Sequence, residues 1–154
     1  MASKSERGSN LPDPKAFSMP RAKKHLRFSM SHTMIHFEIP ADDLEKMKAF
    51  YTNVFGWKYT EIPEMKYNTI QTVQTDERGM LKEPGVNGGM YKRTEKGQVP
   101  LNYINVEDVD EFIDRTVKNG GKVRSPKMYI PKVGDIAVIE DPEGNPLGII
   151  RPEM

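Results

Sequence analysis

An imidazole and a carboxylate two residues apart in the segment Met34-Ile-His-Phe-Glu-Ile39 are the pair in this chain best spaced to move a proton. In an extended segment, alternate side chains project to the same side. The alternation therefore places His36 and Glu38 on one face and Ile35, Phe37 and Ile39 on the other. Two titratable groups on one wall meet the basic requirement of acid and base catalysis. They equally suit a hydrogen-bonded wall histidine with Glu38 as its acceptor or neighbour. The chain has three histidines and no cysteine, which excludes disulfides, thiolate nucleophiles and thiolate metal sites. His25 and His32 lie in or beside a polar N-terminal stretch, leaving His36 as the metal ligand if a divalent ion binds at all. No HExxH pair, phosphate-binding glycine loop or Ser, His and acid signature is present, so hydrolase and nucleotide-binding readings have no support.

A second set of residues could hold a ligand without doing chemistry on it. Tyr67, Tyr103 and Tyr129 offer aromatic faces, Met90 and Met128 can fill an irregular pocket, and Gly88-Gly89 permits close backbone approach. Each also fits ordinary packing, and the glycine pair also fits a bulge. The stretch from Ser125 to Asp135, with Pro126, Pro131 and Gly134, reads as a loop long enough to act as a lid or to serve as a passive connection.

Positioning these residues requires a scaffold, and the chain repeats one. After the first strand, Pro40 ends the extended run. Asp42 with Glu45 makes a capping-box start, Leu44, Met47, Tyr51 and Val54 form an apolar stripe, and Gly56 closes the helix. Trp57 to Ile62, Asn68 to Thr75 and Val86 to Tyr91 read as three further strands. The grammar restarts at Leu101. Asp108 and Glu111 repeat the capping pair ahead of Val109, Phe112, Ile113 and Val117, and Asn119-Gly120-Gly121 ends the helix. Lys122 to Ser125, Ile136 to Glu140 and Leu147 to Ile150 supply three strands, the last two joined by the turn sequence Asp141-Pro-Glu-Gly-Asn145. Two copies point to a duplicated βαβββ module rather than a solenoid. The fold class is α+β, a curved mixed sheet around a cleft with the helices on its outer face. The modules span about residues 34–92 and 101–151 within a domain at 31–154.

Composition bounds the rest. A chain of 154 residues with 36% hydrophobic and 29% charged residues carries one core. No apolar run is long enough to cross a bilayer, so the reading is a cytoplasmic protein without a membrane partner. The net charge of +1 hides an asymmetry: residues 1–29 hold seven Lys or Arg against Glu6 and Asp13. Residues 1–30 read as a flexible basic extension. The run from Arg21 to Arg27 could meet an anionic partner, although nucleic acid is not the expected one.

The segments IHFEIPADDLEKMKAFYTNVFGW, GVNGGMYKR, DVDEFIDRTVKNGGKV and DPEGNPLGII, in this order from about Met34 to Arg151, resemble the vicinal-oxygen-chelate proteins of the glyoxalase, bleomycin-resistance and dioxygenase superfamily, in particular its glyoxalase-like members. The resemblance implies the two-module fold, a small-molecule cleft and frequent homodimers. It also implies, in metal-dependent members, a divalent ion held by one side chain from each of four strands. His36 matches the first of those positions. The others fall on Gly88-Gly89, Leu101 and Gly148, none of which carries a donor side chain. The expectation is therefore a binder of a small organic molecule with no cofactor and no activity on the hemithioacetal of glutathione and methylglyoxal. The alternative is a metal-dependent lyase, epimerase or dioxygenase acting through His36 and Glu38.

Overall fold

Two segments built on one pattern fold alike in a computed structural model that describes residues 31–153; the basic extension assigned to residues 1–30 lies outside them. In the first, β1 (Met34–Ala41) leads into α1 (Leu44–Phe55), then β2 (Lys58–Ile62), a 3-10 turn (Pro63–Met65), β3 (Tyr67–Gln71) and β4 (Gly88–Lys92). In the second, β5 (Leu101–Asn105) leads into α2 (Val109–Lys118), β6 (Lys122–Ile130), β7 (Gly134–Glu140) and β8 (Pro146–Pro152). All eight strands form one mixed sheet in the order β2-β3-β4-β1-β5-β8-β7-β6. The modules meet where β1 runs antiparallel to β5, and each module closes with a parallel pair, β1 with β4 and β5 with β8.

Both helices start on an aspartate whose carboxylate satisfies an orphan backbone N–H of the first turn. Asp108 accepts from Glu111 N in α2, as the sequence pattern predicts. In α1 the cap is Asp43, accepting from Lys46 N at 3.0 Å, rather than Asp42. Gly56 ends α1 at φ 73, in the left-handed region that a side chain disfavours.

The helices cover one face of the sheet with two apolar clusters. Under α1, Ala41, Ile70 and Met90 are buried against Phe37, Ile39, Leu44, Met47 and Tyr51; under α2, Val106, Val109, Ala137 and Ile149 are buried against Ile104, Phe112 and Ile113. The last residue of each predicted stripe departs from this pattern. Val54 is 54% exposed and Val117 57%, because both sit near the helix C-termini, beyond the main packing area.

Three further expectations are corrected. Ile35 does not share a side with Phe37 and Ile39: a register shift between Met34 and His36 inserts it as a bulge. The span from Ser125 is no lid. β6 continues to Ile130 and a short turn at Pro131–Val133 leads directly into β7. Pro126 is tolerated because β6 is an edge strand that pairs only with β7, through a ladder with two irregularities. Met90, expected at a ligand, is 0% exposed in the core under α1. Its place follows from alternation on β4, which sends Gly89 and Met90 to opposite faces. Among the described residues no helix is long and apolar enough to span a membrane.

Burial at Met90 and exposure at Met128 should separate cleanly in stability. Met90→Ala is expected to cost about 3 kcal/mol, and Met128→Ala to stay within about 0.5 kcal/mol of the parent, both read from urea unfolding midpoints. Equal costs would contradict this assignment of the two methionines.

Candidate functional site

The face of the sheet opposite the helices carries the cleft, and the β1/β5 register arranges its floor. His36 lies opposite Tyr103, and Glu38 opposite Leu101. Glu38 is level with Gly89 on the parallel neighbour β4, as Tyr103 is with Gly148 on β8. An approximate twofold axis between β1 and β5 thus makes His36 the counterpart of Leu101, Glu38 of Tyr103, and Gly89 of Gly148.

The two glycines are occupied from above. A Cβ placed on Gly89 would coincide with the Tyr67 hydroxyl, and one on Gly148 would run into the Tyr103 ring. Tyr67 reaches this spot because the chain turns through Pro63–Met65 and then Lys66, at φ 48, before entering β3. Gly88 has a different role. Its missing side chain makes room for the Phe37 ring on the helix side, where a Cβ would approach ring carbons at 2.7 Å.

His36, Glu38, Tyr67 and Tyr103 stand together on this face. His36 Nε2 and the Tyr67 hydroxyl are 2.8 Å apart, and the His36 and Tyr103 rings meet edge-on with centroids 5.6 Å apart. Burial, and then the charge and hydrogen bonding of the Glu38 carboxylate, push the Tyr67 and Tyr103 phenols far above the ordinary phenol range. Both therefore stay protonated and act as donors. A phenol has one proton to give. In the bond between His36 and Tyr67, either His36 Nε2 or the Tyr67 hydroxyl supplies the proton, according to the imidazole tautomer. Burial holds the imidazole below its usual value, with the Glu38 charge opposing that shift in part.

Two cavities share Glu38 and Tyr103 as their common wall. One, about 340 Å³, is mainly apolar, with His36, Tyr67 and Thr69 beside Ile62, Met65 and Ile136. The other, about 300 Å³, is polar, with Tyr91, Glu95, Gln98 and Arg124. The structure thus brings together His36, Glu38, Tyr67, Tyr103 and Gly89 of the residues singled out from sequence, and separates Gly88, Met90, Met128 and Tyr129 from them. Met128 and Tyr129 are each 57% exposed; Tyr129 donates to Glu153 and lines another cavity beside Asp135 and Arg151. Sequence reasoning missed Ile136, Arg124 and Thr69. Thr69 follows from alternation with Tyr67. The other two lie on β6 and β7, where the sheet's curvature decides what they face.

The four positions assigned to a metal by resemblance do not fit one. They provide His36, two glycines whose Cβ space is filled by phenol rings, and Leu101. Among the described residues no group of three or more His, Cys, Asp or Glu side chains could hold an ion.

Two βαβββ modules joined at their first strands, with helices outside and a ligand-sized concave face within, define a vicinal-oxygen-chelate protein. The chain belongs to the Glyoxalase/Bleomycin resistance protein/Dioxygenase superfamily, whose family model matches residues 33–149. A glyoxylase-like domain-containing protein of Didymella fabae is 33% identical over 114 residues, covering 70% of this chain and 84% of that one. The putative glyoxylase CFP32 of Mycobacterium bovis is 29% identical over 114 residues, covering 73% of this chain but 42% of its own, so the chain spans less than half the length of that relative. A methylmalonyl-CoA epimerase of Streptomyces coelicolor superposes with a TM-score of 0.58 at 16% identity, covering 80% of this chain and 100% of the other, which shows a shared fold.

The glycine contacts generate a coupling prediction. Gly89→Ala should cost about 3 kcal/mol in the parent chain and under about 1 kcal/mol in a Tyr67→Ala background, where the overlapping group is gone. Equal costs in both backgrounds would show that Tyr67 does not occupy that space. A second prediction follows from His36. Its folded-state pKa lies below the ordinary imidazole value of 6.5, so the unfolded chain protonates first as pH falls. The stability that His36 contributes above that value is lost through the window just below it, and the loss levels off once the folded-state pKa is passed. Urea unfolding between about pH 7.5 and about pH 5 should show this extra slope in the parent and not in His36→Gln; parallel curves would overturn it.

Proposed function

We propose that this protein binds a small organic molecule in the cleft between its modules, without a catalytic divalent ion. One observation carries the reading: Tyr67 and Tyr103 fill the space over Gly89 and Gly148, where ligand side chains from β4 and β8 would have to stand. Without those donors an ion at His36 would keep most of its water and act only weakly as a Lewis acid. What remains is a half-apolar, half-polar cleft with His36 and Tyr67 hydrogen-bonded beside Glu38, which suits orientation of a ligand by a few polar groups. The relatives' names and the epimerase fold do not extend to the substrate of this chain, since one fold hosts many chemistries.

A second reading has its own observation. Glu38 stands as a carboxylate base beside the His36–Tyr67 pair and the Tyr103 phenol, enough for proton transfer beside a carbonyl in an epimerase or lyase.

The test combines elemental analysis of dialysed protein with a thermal-shift screen of small organic molecules. A hit at about 100 times its Kd should raise Tm by roughly 5–10 °C, and Thr69→Trp, which fills the apolar cavity, should remove the shift. Stoichiometric nickel or zinc that disappears in His36→Ala, or His36-dependent turnover of the glutathione–methylglyoxal hemithioacetal, would overturn the binding reading in favour of an enzyme.

A further inference from the structure

The charges around the cleft are unevenly matched. Glu38 is only partly exposed and makes no ion pair among the described residues, although seven other pairs are formed there. Its neighbours His36, Tyr67, Tyr103 and Tyr91 offer donors and aromatic faces but no fixed positive charge. The cation lining the adjoining polar cavity is Arg124, which sits 3.8 Å from Glu140, while Glu95 lines the same cavity with a further negative charge. On the other side of Glu38 the cavity wall is mostly apolar.

We infer that the cleft is built for an organic cation, a protonated amine or quaternary ammonium carried on an apolar body, with its charge against the Glu38 carboxylate and its body in the cavity beside Ile62, Met65 and Ile136. The inference rests on the cleft being a binding site and adds the class of ligand. A carboxylate without a counter-ion beside low-dielectric walls favours a cation over a neutral molecule of the same shape, and the phenol and imidazole faces add cation–π attraction. An anion would meet Glu38 and Glu95 together. Arg124, already beside Glu140, does not reverse that balance.

A matched series of probes tests the assignment: benzyltrimethylammonium, the neutral benzyl methyl sulfone and the anion phenylmethanesulfonate, each titrated into the full chain by calorimetry at one ionic strength. The expected order is cation first, by about tenfold over the sulfone, with the sulfonate weakest. In Glu38→Gln the preference for the cation should shrink to about twofold or less while binding of the sulfone persists. If the sulfone binds as tightly as the cation, or the sulfonate binds best, the cation assignment fails and the cleft remains a binding site. If none of the three binds the parent chain, and the wider thermal-shift screen is silent as well, the binding reading falls and the ligand class with it. The parent ranking decides the matter even if Glu38→Gln does not fold.

Discussion

Where β1 lies antiparallel to β5, a single register decides what the cleft contains. Setting His36 opposite Tyr103 also sets Glu38 opposite Leu101. The parallel neighbours then bring Gly89 and Gly148 level with Glu38 and Tyr103. A slip of one residue would turn His36 and Glu38 toward the helices and Phe37 and Ile39 toward solvent. The packing of Phe37 and Ile39 against α1 therefore protects the chemistry of the opposite face.

The twofold relation between the modules is geometric and does not extend to side chains. Equivalent positions carry His36 and Leu101, or Glu38 and Tyr103, so a symmetric scaffold presents an asymmetric wall. The glycines keep the symmetry because both must leave room for an aromatic ring, although Tyr67 arrives from β3 and Tyr103 from β5. The result is one His36–Tyr67 hydrogen bond beside Glu38 in place of a symmetric cage.

Much of this was legible in the sequence where local rules dominate. Capping aspartates, apolar stripes, terminal glycines and strand alternation indicate the order of elements and put His36 and Glu38 on one face. Failures arose where tertiary context overrides local pattern. Pro126 and Pro131 read as loop signals, yet an edge strand accommodates a proline that a central strand would not. Met90 and Gly88 were grouped with the cleft because the strand phase of β4 is hidden by its small residues. The overlap of Tyr67 with the side-chain space of Gly89 has no local signature, since it depends on how β3 and β4 pair.

The two helices are held unequally. α2 seats Val109 fully in its core, whereas α1 has no buried residue and instead extends an aromatic stack in which Tyr51 and Trp57 lie nearly parallel, 4.9 Å apart. Beneath α1, Tyr59 Oη and Asn68 Oδ1 are buried without a partner among the described residues, a cost that α1 packing must offset. The second module carries a similar cost at Asn105 Oδ1 on β5, so what sets the first apart is its helix, seated through half-buried side chains alone. The wall that carries His36 and Glu38 is therefore backed by the more shallowly seated of the two helices.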